Sequence, residues 1–194
     1  MTPSPVDPLV CALFLILGFA LAGTAQAVWL ARPCSRRFAW PLDGGRTFRG
    51  RRVFGDNKTV RGFVVMLPCT GAAFLLLSLA ADDIVAARLW PLSSLQYGAL
   101  GILGAIGCMT GELPNSFIKR QAGIPPGAPA TGPRTRRLCY VIDRIDSPLG
   151  AIGLMALAVP VPLATAAYVL VAGPLMHGAF SLLAFRLGGK ARPA

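Results

Sequence analysis

The stretch Leu95-Gln-Tyr-Gly-Ala-Leu-Gly-Ile-Leu-Gly-Ala-Ile-Gly-Cys-Met-Thr-Gly-Glu112-Leu-Pro-Asn115-Ser116-Phe-Ile-Lys119-Arg120 passes without a break from apolar into ionisable residues. Further on, Asp143-Arg144-Ile-Asp146-Ser147 stands at the head of another apolar run. Ionisable groups are expensive at a bilayer boundary and mark function there. Acids beside basic residues and beside Asn and Ser donors are what a site needs to hold a divalent cation and a polyphosphate together. Phosphate chemistry on a lipid is the implication.

Composition points to a membrane home, because 54% of the 194 residues are hydrophobic and only 14% charged, too little polar surface for an ordinary soluble domain. The expected class is an all-α integral membrane protein forming one membrane domain over 1–194. Five apolar segments are read: about Leu9 to Leu30, Gly62 to Ala81, Leu95 to Leu113, Leu149 to Val171, and a shorter one from Pro174 to Leu187. The first four have the roughly 20 residues that span a hydrocarbon core. The fifth needs its flanks or a buried position.

Every Lys and Arg except Arg88 falls before the second segment, between the third and fourth, or at the C-terminus. The positive-inside rule then places loops 31–61 and 114–147 and the tail in the cytoplasm, with the N-terminus outside. That orientation needs an odd number of spans, and about five transmembrane helices satisfy it. Met1 to Pro8 carries Asp7 and no basic n-region, so the first segment is expected to be retained as a span. The location implied is a cell membrane crossed several times, with the acids gathered around one polar cavity facing the cytoplasm.

A net charge of +11 raises nucleic acid as a partner. The basic residues are not interleaved with stacking aromatics, however, and lie in three places beside membrane spans. Anionic lipid head groups and nucleotide phosphates fit better, and no nucleic acid partner is expected. A plainer role, setting topology alone, is open for Arg32, Arg36, Arg37, Arg186 and Lys190. The five cysteines, Cys11, Cys34, Cys69, Cys108 and Cys139, show no paired spacing and read as small packing residues.

The first loop, Pro41-Leu-Asp43-Gly44-Gly45-Arg46-Thr-Phe-Arg49-Gly-Arg-Arg52-Val-Phe-Gly55-Asp56-Asn57-Lys58-Thr59-Val-Arg61-Gly62, is dense in Gly, Asp and Arg. Glycine lets backbone amides approach phosphate oxygens, and Lys or Arg supplies charge. Lys58, Thr59 and Arg61 stand where the second span begins, so a helix N-terminus adds partial positive charge. Taken alone, this loop reads equally well as a positive-inside loop with turn residues.

In the second loop Glu112 and Ser116 are four apart, as are Asn115 and Lys119, so a helical continuation of the third span lines one face with an acid, donors and a cation. Pro114 breaks ideal regularity there, and Gly123 to Pro133 cannot be regular structure. Asp143 and Asp146 are three apart and share one helix face, the arrangement for joint coordination of a hard cation through oxygen. An ion pair with Arg144 or the nearby arginines is the structural alternative for this pair. The one histidine, His177, falls at a hydrophobic position in the last segment and reads as a packing residue.

Three blocks in combination, Phe54-Gly-Asp56-Asn57-Lys58-Thr59-Val60-Arg61-Gly62, Ser116-Phe-Ile-Lys119-Arg120-Gln-Ala-Gly123-Ile-Pro and Asp143-Arg-Ile-Asp146-Ser-Pro-Leu-Gly150-Ala, resemble the CDP-archaeol synthase family. The second and third blocks are also similar to the signature of the wider CDP-diglyceride synthetases, the phosphatidate cytidylyltransferases. The resemblance runs from Asp43 to the tail. It implies a nucleotidyltransferase of phospholipid biosynthesis that joins CTP to a lipid phosphate, forms a CDP-lipid and releases pyrophosphate. It also implies five spans and Mg2+ in a cytoplasm-facing cavity. Matched position by position, Asp143 and Asp146 are the metal-holding acids, and with Lys119 and Arg120 they form the catalytic set. Ser116, Lys119 and Arg120 match the phosphate-facing motif, and Asp56, Lys58, Thr59 and Arg61 the first-loop motif. With Asn57, Glu112 and Asn115, which the residues themselves suggest, Asp56, Lys58, Thr59, Arg61 and Ser116 make up the expected substrate-binding set. Glu112 stands where archaeal members usually carry Asp, and Ser181 where an Asn is common.

The rival from another class is a small membrane transporter or channel with a charged cytoplasmic vestibule, in which Pro160 and Pro162 supply a mid-span hinge. Clustering of the charges at one side and the absence of an inverted repeat weigh against it. The lipid tail would meet only Leu, Val, Ala and Gly surfaces, which do not separate ether-linked isoprenoid from ester-linked acyl chains, and nothing in the sequence fixes an oligomeric state.

Overall fold

The computed structural model describes residues 6–188. Lys190, read as a topology-setting base, lies outside them. Five long helices and one short one dominate: α1 (Pro8–Ala31), α2 (Val60–Ala80), α3 (Asp83–Ala86), α4 (Ser94–Gln121), α5 (Pro133–Met155) and α6 (Leu163–Arg186). A 3-10 helix, Pro33–Phe38, follows α1, and a hairpin of β1 (Thr47–Phe48) and β2 (Arg51–Arg52) pairs antiparallel. Three helices, α1, α2 and α6, are long and apolar enough to cross a membrane. α4 and α5 are as long, with charged ends that build the site.

Local signals account for the helix starts. Asp7 caps α1 by accepting from the amides of Leu9 and Val10 at 2.9 and 3.2 Å, with Pro8 in the first turn. Ser93 and Gln96 form a reciprocal capping box at α4.

The last two spans differ from the sequence expectation. Apolar residues run on through 149–171, but the chain turns after Met155 and restarts at Leu163. Pro160 and Pro162 lack the amide hydrogen a helix needs, so they lie in the connection between α5 and α6, not inside a span. The hinge of the transporter reading disappears with that placement. Pro174, taken as the start of the fifth segment, lies inside α6. Most of the second loop is also helical: α4 runs on through Pro114 to Gln121 and α5 begins at Pro133, leaving only 122–132 irregular.

The apolar core sits away from the charged residues. Phe74 packs edge-on against Phe14 and Phe19, with ring centroids 5.2 and 5.5 Å apart. Tyr97 donates its hydroxyl to the Trp90 carbonyl at 2.7 Å, and the Trp90 indole donates to the Pro160 carbonyl at 2.8 Å. At that same end Thr165 donates to the Pro8 carbonyl at 2.8 Å and joins α6 to α1.

α4 and α5 meet through glycine. A Cβ on Gly107 or Gly150 would overlap the backbone of the other helix, and one on Gly111 would lie 2.5 Å from the Asp146 carbonyl oxygen. Close approach of helix backbones through small residues is how membrane helices gain packing contact. Its effect here is local, since the next turns carry Glu112 and Asn115 on one helix and Asp146 and Asp143 on the other.

Candidate active site

Asn115 is the centre of the polar cluster. Its Nδ2 donates to Asp143 Oδ1 at 2.6 Å and to Asp146 Oδ2 at 2.8 Å, so the two carboxylates converge on one point. Lys119, one turn further along α4, forms an ion pair with Asp143. Two acids this close repel unless cations or donors stand between them, and Asn115 and Lys119 are those groups.

A second layer adjoins the first. Lys58, delivered by the first loop, pairs with Glu112. Ser147 donates its hydroxyl to the other oxygen of Glu112 at 2.6 Å, and its amide donates to Asp146 at 2.7 Å. Thus α4, α5 and the first loop each contribute to one continuous polar patch. From Glu112 and Ser147 an apolar cavity of about 220 Å³ extends between α1, α5 and α6, with Phe19, Ala151, Val169 and Phe180 in its wall and His177 on its polar side.

The other expected residues are distributed around this patch. Ser116 is buried on α4. Arg120 is only 8% exposed, under Gly55 and Pro126, and neither its Nε nor its Nη1 has a hydrogen-bond partner among the described residues. A buried guanidinium with open donors is costly unless something anionic meets it. Asp56 is outside the patch, its side chain 73% exposed and paired with Arg52 at 2.7 Å. Thr59 is the cap position of α2 and makes no side-chain cap bond, while Asn57 lies exposed in the turn before it. Arg61 points back to α1: its Nε donates to Ser35 Oγ at 2.9 Å, and its guanidinium also donates to the Leu30 carbonyl.

Ser147 takes part without a role assigned from the sequence, and Asp43, expected with Asp56, Glu112, Asp143 and Asp146 around one cavity, stands apart from the cluster, as Asp56 does. Ser147 follows Asp146 directly, and that adjacency was its only sequence signal. Asp43 is buried beneath the first loop and accepts from Gly45, Arg52, Phe54 and Gly55. Burial alone would favour its protonated form. The Arg52 guanidinium and the three backbone amides outweigh that and hold the carboxyl well below the usual carboxylate range.

Convergent carboxylates, flanking lysines, an underemployed buried arginine and an adjoining apolar cavity suit a reaction between a polyphosphate and a lipid. A profile of the CarS-like family of CDP-archaeol synthases matches residues 9–193. The chain belongs to the CDP-archaeol synthase family. The CDP-archaeol synthase of Pyrococcus furiosus is 32% identical over 79% of this chain and 83% of its own length. For that of Thermococcus kodakarensis the identity is 34%, over 79% of this chain and 81% of the relative. For that of Halobacterium salinarum strain R1 it is 33%, over 79% and 82%. A solved intramembrane enzyme for archaeal membrane lipid biosynthesis superposes with a TM-score of 0.59 at 26% identity, covering 88% of this chain and 92% of that one. Membership of the CDP-archaeol synthase family makes the chain a membrane transferase of lipid biosynthesis, a CTP-dependent lipid cytidylyltransferase. The transporter reading falls with it.

Proposed function

We propose that this CDP-archaeol synthase family member transfers the cytidylyl group of CTP to a lipid phosphate monoester with Mg2+ held by Asp143 and Asp146. The observation that carries the reading is the convergence of Asp143 Oδ1 and Asp146 Oδ2 on the single amide nitrogen of Asn115. Among the described residues no group of three or more His, Cys, Asp or Glu side chains converges. Two hard carboxylate oxygens alone suit magnesium, which keeps several waters and binds through one or two carboxylates plus substrate phosphates. When bound, the ion supplies positive charge for the triphosphate oxygens.

The chain's own residues supply positioning and charge neutralisation. A lipid phosphate has a second pKa near 6, so its oxygen is already nucleophilic at neutral pH without a strong general base. That oxygen bonds to the α-phosphorus of CTP as the bond from this phosphorus to the bridging β-oxygen breaks. The electron pair leaves with pyrophosphate. Lys119 and Arg120 face the triphosphate and stabilise the charge that develops on the leaving group, and Lys58 assists from the first loop. Asn115 and Ser147 hold the acids in register. Ser116, Asn57 and Thr59 are assigned to the nucleotide side of the cleft, while Asp56 through Arg52 and Arg61 through Ser35 brace the first loop that carries Lys58.

The apolar cavity beyond Glu112 and Ser147 receives the start of the lipid chain. The single membrane domain crosses the bilayer five times, with the N-terminus outside and the site opening to the cytoplasm, as the basic residues around it favour. The test is incubation of the purified protein with radiolabelled CTP and Mg2+, in parallel with ether-linked isoprenoid phosphate and with diacyl phosphate. Labelled CDP-lipid with release of pyrophosphate is expected from at least one of them. Absence of labelled lipid from both would overturn the reading. Labelling of a cysteine placed at position 56 or 132 from outside sealed cells would overturn the orientation.

A further inference from the structure

Asp43 lies outside the cluster of acids, yet it is the most fully bonded carboxylate in the first loop. Its Oδ1 accepts from the Gly45 amide at 3.0 Å and from Arg52 Nη2 at 2.7 Å, and its Oδ2 from the amides of Phe54 and Gly55 at 2.9 and 3.0 Å. Both sides of the carboxylate therefore face N–H donors. The bonds close the loop on itself, because Gly45 precedes the hairpin, Arg52 ends its second strand, and Phe54 and Gly55 lie beyond it.

What Asp43 holds bears on the site at two places. Gly55, in a left-handed conformation with φ +90, packs against Arg120 and Pro126, where a Cβ would meet Pro126 Cγ at 2.8 Å. From Gly55 the chain turns through a bond of the Lys58 amide to the Gly55 carbonyl at 3.3 Å, and the Leu42 amide closes on the Lys58 carbonyl at 2.8 Å. Lys58 leaves this turn toward Glu112. The hairpin is also tied to the end of α4: Gln121 donates to the Arg52 carbonyl at 3.3 Å, and Arg51 donates to the Gln121 carbonyl.

We propose that Asp43 is a positioning residue of the reaction, fixing the first loop so that Lys58 meets Glu112 and Gly55 covers Arg120. The inference rests on the cytidylyltransferase reading. It assigns Asp43 no contact with substrate. An amide in place of the carboxylate cannot serve, because either orientation of Asn turns its NH2 toward two donors, Gly45 and Arg52 on one side or Phe54 and Gly55 on the other.

The test compares wild type, Asp43→Asn, Lys58→Ala and the double variant for kcat, for KM of CTP and lipid phosphate, and for the rate of tryptic cleavage at Arg46 to Arg52. Asp43→Asn is expected to lower kcat about tenfold to a hundredfold, the range for a displaced catalytic group, with lipid KM close to wild type and faster cleavage. In the Lys58→Ala background the same change is expected to lower kcat little further, because groups acting through one another are not additive. Full wild-type kcat in Asp43→Asn, an equal loss in both backgrounds, or unchanged cleavage overturns the proposal. If Asp43→Asn does not yield folded protein, Arg52→Met carries the same comparison. A wild type that makes no CDP-lipid, alongside faster cleavage of Asp43→Asn, removes the catalytic reading and leaves Asp43 as a loop organiser.

Discussion

Gly107 of α4 and Gly150 of α5 touch backbone to backbone, and the carboxylate pair is built a turn or two from that contact. Gly150→Ala forces the helices apart and draws Asp143 and Asp146 away from Asn115. Overpacking of this kind costs about 1–3 kcal/mol. A lower unfolding midpoint in detergent together with loss of CDP-lipid formation is expected. An active, equally stable Gly150→Ala protein would contradict the close crossing.

Asn115 stands between two acids that repel without it. Asn115→Ala is therefore expected to unfold more easily in a chelator than wild type, with much of the difference recovered as magnesium is added, since a cation can take over the screening. Thermal unfolding with and without magnesium measures this. A deficit untouched by magnesium would indicate that the amide acts only in helix packing.

Loss of one carboxylate leaves a hard cation poorly held. Asp146→Asn should retain membrane insertion and lose most magnesium-dependent turnover, as should Asp143→Asn. Turnover measured against magnesium concentration decides the matter, and an unchanged curve for Asp146→Asn would show these acids to be structural.

Lys119 is expected to matter most as pyrophosphate departs, and a contact of that kind lowers kcat more than it raises KM. Lys119→Ala should lose on the order of a hundredfold in kcat, comparable to removal of one preorganised donor. KM for CTP should change less and lipid KM little. A raised lipid KM alone would move Lys119 to the lipid head group.

Asp43 gives a pH dependence with a definite sign. Its carboxyl is held well below the usual range in the folded loop, so the folded state binds the proton less readily than the unfolded chain does. The resulting stability is present above the ordinary carboxylate pKa of about 4. It is lost only as pH falls through the lower folded value. Protection of the Phe54 and Gly55 amides, taken as their exchange rate relative to an unstructured peptide at the same pH, should hold at neutral and mildly acidic pH and fall in strong acid. Protection that rose as pH fell would reverse the assignment.

Much of this arrangement is legible in the sequence where local rules act alone. α1 and α2 follow from uninterrupted apolar length, and the spacing of Asp143 with Asp146 and of Asn115 with Lys119 places each pair on one helix face. The junction of α5 and α6 is not legible from composition, because apolar residues continue through it and only Pro160 and Pro162 mark the break. Pro68, Pro114, Pro148 and Pro174, by contrast, sit inside helices, so proline alone does not say which case applies. The joining of Asn115 to both acids spans 28 and 31 residues of chain and depends on glycines whose partners lie on another helix. The bonds of Asp43 are likewise a product of the hairpin, which a loop rich in Gly and Arg does not announce.

Arg61 has a consequence for the chain as a polymer. α1 has no basic residue in its last turn, and the guanidinium of Arg61, 31 positions beyond Leu30, reaches that turn's carbonyl instead. One cation thereby serves the negative pole of α1 from the first turn of α2. The intervening segment hangs from a closed base, and much of the entropy of bringing its ends together is lost when the two helices dock rather than when the loop orders. The hairpin and its lysine can then settle at a cost set by their own few bonds.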